Sequence, residues 1–478
     1  MNKTQRDKDN INNRHDENSV KRHYKNIIIG GGIVGAGIFR DLSLHDEEVL
    51  IIDRNDFTSQ TSQSSSKMLH GGIRYLENFD FQLVHEALHE KIYWTKLLPH
   101  LAKEVPFVLP TYKESKHPKL MLKIGLFLYD FLSGFNNSPH KMLSKNEVLD
   151  KVKNINPENL TGGGLYYDAV MEDAKITLEV IYDGLISEKS YAWNYHEIKS
   201  VTKHGEINLL KIKNTLSNDE IEVTCSNLIF ALGPFTDKVL SQLFPDNWKP
   251  ILLPSKGSHI WVKRDRLELN HPMVINHQDG RVIFFIPHDK KVLIGTTEVE
   301  TSIQDEKISI SKKELNYLIS ITNQYFRNVN ITESDILSSF SGIRPLIKDN
   351  RSAGNKGKTA RTHKTYQIGK DIFVIAGGKY TTFRVMGQEI TRNILNKSNK
   401  KYSSRKTLNP LRKRSIVKDP KSWSPNTEDI IKIIENEVPK TMNDLIYRRI
   451  GIHSQEEWDL TYPDIKYENF IEKIKHLI

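Results

Sequence analysis

The chain has 478 residues, with 69 Lys+Arg against 59 Asp+Glu and a formal net charge of +10. That excess suits nucleic acid, an anionic lipid surface or an anionic small substrate without choosing among them, and no nucleic-acid-binding motif accompanies it. A single cysteine, Cys225, excludes an intramolecular disulfide and leaves no thiolate set for zinc or an iron–sulfur cluster, and no window holds the roughly 18 consecutive apolar residues of a membrane span.

Residues 1–23 are polar and charged and read as a disordered leader without a secretory apolar core. The stretch Asn26–Asp53, NIIIGGGIVGAGIFRDLSLHDEEVLIID, then sets an apolar run, a glycine cluster, a helix-compatible segment and a second apolar run in order. Gly30, Gly32 and Gly35 fit G-x-G-x-x-G, which implies a tight turn, close approach of a pyrophosphate and close helix–strand packing. Asp53 follows at about 20 residues, the distance at which an acid holds a ribose hydroxyl.

Further along, Phe79–Leu98 reads as a helix closed by Pro99, and Thr111–Lys153 as a basic, partly amphipathic stretch. Thr177–Ile186 predicts a helix, Glu197–Val201 and Glu206–Ile212 predict strands, and Asn227–Leu232 predicts a buried strand ending at Gly233-Pro234. Ile251–Glu300 is strand-rich, with HIWV, RVIFFIP and KVLIGTTE. Asn350–Lys358 reads as a polar loop. A last buried strand, Ile372–Ala376, runs into Gly377-Gly378-Lys379. Asn399–Lys418 is a basic linker, and the tail, including Asp429–Glu435, is helical by pattern. The expected architecture is α/β: a discontinuous Rossmann-like dinucleotide domain (24–100, 155–250 and 340–398), an inserted β-rich substrate domain (101–154 and 251–339), a linker (399–418) and a short helical C-terminal domain (419–478).

The segment SSSKMLHGGIRYLE, Ser64–Glu77, resembles a signature of the FAD-dependent glycerol-3-phosphate dehydrogenases, members of the glycine-oxidase-like flavoprotein superfamily. FQLVHEALHE, LPHLAKEVPFVLP, GLYYDAVMEDAK, LIFALGPFTD, KGSHIWV, RVIFFIPHDKKVLIGTTEVE, SGIRPL and GGKYTTFR resemble further family blocks in the family's order, from Tyr24 to Arg384. NDLIYRRIG, Asn443–Gly451, is a weaker echo of a C-terminal helical domain.

The resemblance implies FAD as cofactor and oxidation of sn-glycerol 3-phosphate to dihydroxyacetone phosphate. By that resemblance Gly30, Gly32, Gly35 and Asp53 hold the ADP part. Thr61, Ser62, Ser65 and Ser66 line the pyrophosphate and flavin side, with Gly71 and Gly72 beside them. Ile198 meets adenine, Gly233 ends a strand beside the cofactor, and Gly378, Lys379 and Thr381 approach the isoalloxazine and ribityl chain. Such chemistry needs cations for a phosphate dianion, a proton acceptor for the C2 hydroxyl and a positive group near the flavin. Arg74, Tyr75, Arg344, Arg361 and Lys379 are the implied substrate-binding residues. His70 and His259 remain alternative bases. No metal is implied.

Two positions depart from the family pattern: His288 stands where a tryptophan is usual, and Lys175 where an arginine is usual. The tail is also shorter than in many members. Members pass electrons to a membrane quinone as peripheral proteins on the inner, cytoplasmic face of the cell membrane. The segment His117–Leu132 has the composition of an interfacial helix, or of an ordinary amphipathic one. Arg412, Lys413 and Arg414 suit anionic lipid or a solvated linker equally. An oxygen-using oxidase of the same fold, acting on glycerol 3-phosphate or on an amine or amino acid, is the alternative activity, and a homodimer is compatible with the resemblance.

Overall fold

The computed structural model describes residues 21–115, 118–303, 308–348, 363–411, 427–437, 439–462 and 465–475. Most of the expected leader, the polar loop at 350–358, Arg361 and the basic triplet at 412–414 lie outside them.

Uninterrupted aliphatic runs suit parallel strands covered on both faces, and the first sheet is built from such runs. Its order is His363–Ile368, Ile372–Gly377, Glu220–Phe230, His23–Ile29, Val49–Ile52 and Ser190–Trp193. All neighbours pair in parallel except the edge strand His363–Ile368. Alternate residues face opposite ways: Ile28 joins one buried cluster with helix residues Ala36 and Phe39, while Ile27 and Ile29 join another with Leu228 and Phe230. The helix Ile33–Leu44 leaves the first strand and packs on the helix Phe383–Lys397. Strands His196–His204 and Ile207–Asn214 extend this sheet as an antiparallel meander.

The second sheet has ten strands, with Leu252–Lys263, Lys291–Gly295, Val282–Pro287, Met273–Asn276, Ala102–Tyr112 and Leu160–Met171 in its middle. Two boundaries differ from expectation. Leu160–Met171 pairs along its length with Ala102–Tyr112, and Ile336–Ile347 pairs with Leu252–Lys263, so residues 160–171 and 340–347 belong to the second sheet. Long-range pairing decides their place, and no local pattern in GGGLYYDAVM encodes the partner. Met68–Leu69 also joins this sheet, which carries the Ser64–Glu77 block across from the first.

The C-terminal segment forms the helices Thr427–Glu437, Asp444–Ile450, Gln455–Thr461 and Tyr467–Ile474 around their own apolar core of Leu445, Ile446, Trp458 and Phe470. Among the described residues, no helix is long and apolar enough to cross a membrane.

Candidate active site

A cavity of about 410 Å³ opens between the two sheets, within the range of cofactor sites. Its first wall is the glycine turn. The strand His23–Ile29 ends at Gly30, whose φ of +112° suits only glycine. A Cβ on Gly35 would lie 1.8 Å from the Gly30 carbonyl oxygen, so Gly35 lets the helix seat on the turn without itself lining the cavity. Gly32 and Ile33 bring the N-terminus of Ile33–Leu44 to the cavity, where its dipole favours phosphate.

Asp53 lies at the end of the next strand. One carboxylate oxygen accepts the Gly31 amide at 2.7 Å and the other the Asn55 amide at 2.9 Å. Each oxygen keeps a further lone pair for a ribose hydroxyl. Burial pushes its pKa up to about 6, against the two amides and Arg54, which lower it.

The hydroxyl-rich loop divides its work. Ser62 accepts the Ile33 amide at 2.9 Å, and Thr61 donates to the Ile343 carbonyl at 2.8 Å, which ties the loop to the second sheet. Ser65 donates to Asp173 at 2.6 Å, and Lys67 reaches the other oxygen of that carboxylate. Ser66 bonds the His259 Nε2 at 2.9 Å. Gly233 and Ile198 line the far end of the cavity.

His70, Tyr75, His259, Arg344, Gly378, Lys379 and Thr381 also line the cavity. The Lys379 ammonium sits 3.7 Å from the Tyr75 ring centroid, a close cation–π contact. Arg344 donates to the Thr296 hydroxyl at 2.9 Å. Facing residues Gly257 and Gly342 are paired in register on adjacent strands. A Cβ on Gly257 would lie 2.4 Å from the Arg344 guanidinium, and one on Gly342 2.8 Å from the Ser64 carbonyl oxygen. Both glycines therefore clear the cavity floor. The His259 ring is buried and stacks on Phe340. Burial first, then Arg344 and Lys67, push its pKa down to about 3, so it is neutral at neutral pH.

Three expected site residues stand elsewhere. Arg74 is turned away from the cavity and donates to the Gly280 carbonyl at 2.9 Å, because the 3₁₀ turn Ile73–Asn78 sends consecutive side chains to different faces. Gly71 and Gly72 shape that turn rather than line the cavity. The Gly71 amide donates to Asp168, and Gly72 has φ +80° with the Tyr75 ring where a Cβ would be. Arg361 lies outside the described residues. Conversely, Arg54 and Gln60 line the cavity without a motif pointing to them, and Ser64, which opens the SSSKMLHGGIRYLE block, lines it as well. Gly257 and Gly342 stood within KGSH and SGIRPL, and their glycine identity was the available signal. Both departures from the family pattern, His288 and Lys175, line a separate cavity of about 70 Å³ beside Trp261 and His453.

A glycine cradle closed to any side chain, an acid at the ribose distance and a basic pocket at the far end fit flavin adenine dinucleotide. The chain belongs to the FAD dependent oxidoreductase family, whose model matches residues 25–392, and FAD is its cofactor. It is 34% identical over 351 residues to an alpha-glycerophosphate oxidase of Streptococcus pyogenes serotype M1, covering 70% of this chain and 56% of that relative. It is 33% identical over 393 residues to the aerobic glycerol-3-phosphate dehydrogenase of Staphylococcus aureus strain USA300, covering 80% of this chain and 70% of the relative. The chain thus spans little more than half the length of the streptococcal relatives. Its fold is like that of a glycerol-3-phosphate dehydrogenase from Bacillus halodurans complexed with FAD, with TM-score 0.67, 23% identity, and 98% of this chain and 81% of the other covered. It is also like that of an L-alpha-glycerophosphate oxidase from Mycoplasma pneumoniae with FAD bound, with TM-score 0.63, 16% identity, and 78% and 95% covered.

Proposed function

We propose that this protein oxidises sn-glycerol 3-phosphate to dihydroxyacetone phosphate and passes the electrons to a membrane quinone at the inner face of the cell membrane. The observation that carries the substrate is the cationic and hydroxyl lining of the cofactor cavity: Lys379 over the Tyr75 ring, with His70 beside that ring, and Arg344 beside Thr296. Arg344 offers a planar fork to a phosphate dianion and Lys379 a point charge, while Tyr75 offers a hydroxyl. FAD supplies the acceptor for the C2 hydride.

The hydroxyl proton goes to His70. Burial, Arg344 and Lys67 hold His259 near 3, away from the working pH at which an efficient base titrates. Its bond to Ser66 gives it the role of fixing the loop beside the cofactor.

The lipid reading rests on the helix Lys119–Leu132. Leu126, Tyr129 and Asp130 face inward. Leu120 is 69% exposed, Ile124 54%, Phe127 57% and Phe131 57%, and Phe135 just beyond is 62% exposed. A soluble surface rarely carries such a stripe. With Lys119 and Lys123 beside it, the stripe suits the headgroup boundary of an anionic bilayer.

Oxygen is the second candidate acceptor, on the strength of relatives named as oxidases. Turnover of glycerol 3-phosphate in air, with and without a quinone analogue in anionic vesicles, separates the two. The expected result is turnover that depends on quinone. Hydrogen peroxide formed in step with substrate loss, without quinone, assigns oxygen instead.

A further inference from the structure

The C-terminal unit keeps its apolar contacts largely to itself and meets the body through charges and hydroxyls. The centre of that junction is Asp56, fully buried. The Arg448 Nε donates to its carboxylate at 2.6 Å, Arg449 binds both of its oxygens, and the Asn194 amide donates to it at 2.9 Å. A second buried acid, Asp444, pairs with Arg448 and accepts the Tyr195 hydroxyl at 2.6 Å.

The position of these partners gives the junction its meaning. Asp56 belongs to the turn 53–60, and Asp53, Arg54, Thr58, Ser59 and Gln60 from that turn line the dinucleotide cavity. Tyr195 precedes His196–Ile198, which line the same end, and its amide donates to the Asn55 carbonyl at 3.0 Å. The turn and the adenine-side segment are therefore both held from behind by one helix of the C-terminal unit. No described residue of that unit lines the cavity itself.

We propose that this junction is a clasp on the cofactor: Arg448 and Arg449 fix the turn 53–60, so that retention of FAD depends on a segment that does not touch it. Removing one partner from a buried ion pair leaves an uncompensated charge and displaces the group that remains. Here that group sits three residues from the ribose-binding acid. The arginines are positioning residues and act through Asp53 and its neighbours.

The test uses the full-length holoenzyme. It is diluted into flavin-free buffer, and FAD release is followed by the rise in flavin fluorescence. Arg449→Gln and Asp56→Asn should each release FAD about tenfold faster or more, while KM for glycerol 3-phosphate in excess FAD stays within about twofold of the parent. Arg449→Lys, which keeps the charge and loses the fork, should fall between. Glu457→Gln cuts a different attachment of the same unit, the 3.0 Å pair with Lys291, and should leave FAD release within about twofold of the parent. Release at the parental rate in Arg449→Gln and Asp56→Asn overturns the proposal, as does equally fast release in Glu457→Gln. If Arg449→Gln gives no soluble protein, Tyr195→Phe reads the same network by removing one hydroxyl. It should release FAD about threefold faster, and an unchanged rate overturns the clasp.

Discussion

The substrate end of the cavity relies on side chains whose chemistry has no close substitute. Arg344 is held by Thr296 over a floor cleared by Gly257. Arg344→Lys keeps the charge and loses the fork, so kcat/KM for glycerol 3-phosphate should fall by about tenfold to a hundredfold, with flavin content unchanged. His70→Gln should lower kcat far more than His259→Gln in steady-state assays across pH. An equal loss in both would return the base to an open choice. Asp53 makes a pH prediction. Its pKa is raised by burial to about 6, so its contribution to apoprotein stability is present at low pH and is lost as pH rises through 6. FAD prefers the ionised carboxylate as hydrogen-bond acceptor. FAD affinity, measured by fluorescence titration, should therefore weaken as pH drops below about 6, and Asp53→Asn should flatten that dependence.

Among the elements, the strand–turn–helix–strand from His23 to Ile52 was legible because its signals are local: aliphatic runs, glycines at fixed spacing and a terminal acid. The helix Phe81–Leu97 and the strand Ile372–Gly377 were legible for the same reason. The span 155–250 was assigned whole to the dinucleotide domain, because the pairing of Leu160–Met171 with Ala102–Tyr112 is long-range and leaves no local trace. Arg74 is not among the cavity-lining residues while Tyr75 is, because a motif gives adjacency along the chain and a 3₁₀ turn separates the two side chains in space. Gly35 shows how strict the local signals are. Gly35→Ala would set a methyl group 1.8 Å from the Gly30 carbonyl oxygen and force the helix off the strand, so the purified variant should carry little or no FAD. At the helix Lys119–Leu132, the double change Ile124→Glu and Phe127→Glu should abolish co-sedimentation with anionic vesicles. It should leave dye-linked turnover in solution within about twofold, since neither side chain is buried.

Across the whole molecule, histidines shielded from solvent couple stability to acidity. His259 and His453 are each held near 3 and His288 near 4, chiefly by burial. Because their folded pKa values lie below the ordinary value, the unfolded chain binds more protons below pH 6.5. Stability is then full above that pH and falls toward pH 3, by about 1.4 kcal/mol per pH unit for each histidine. Thermal unfolding between pH 7 and pH 5 should show a falling midpoint, and His288→Trp should reduce the fall. His259 lines the cofactor cavity, and His288 and His453 line the smaller one, which residues of the C-terminal unit help to form. The molecule thus has a cofactor cavity lined from both sheets and a C-terminal unit that braces one of its turns from behind.

The proposed activity is one reaction between this cofactor site and one substrate. Anaerobic mixing of the purified yellow protein with sn-glycerol 3-phosphate, followed by flavin absorbance, tests it most directly. Prompt bleaching of the oxidised flavin and formation of dihydroxyacetone phosphate in equal amount are expected. A fully FAD-loaded protein whose spectrum does not change on saturating substrate would contradict it.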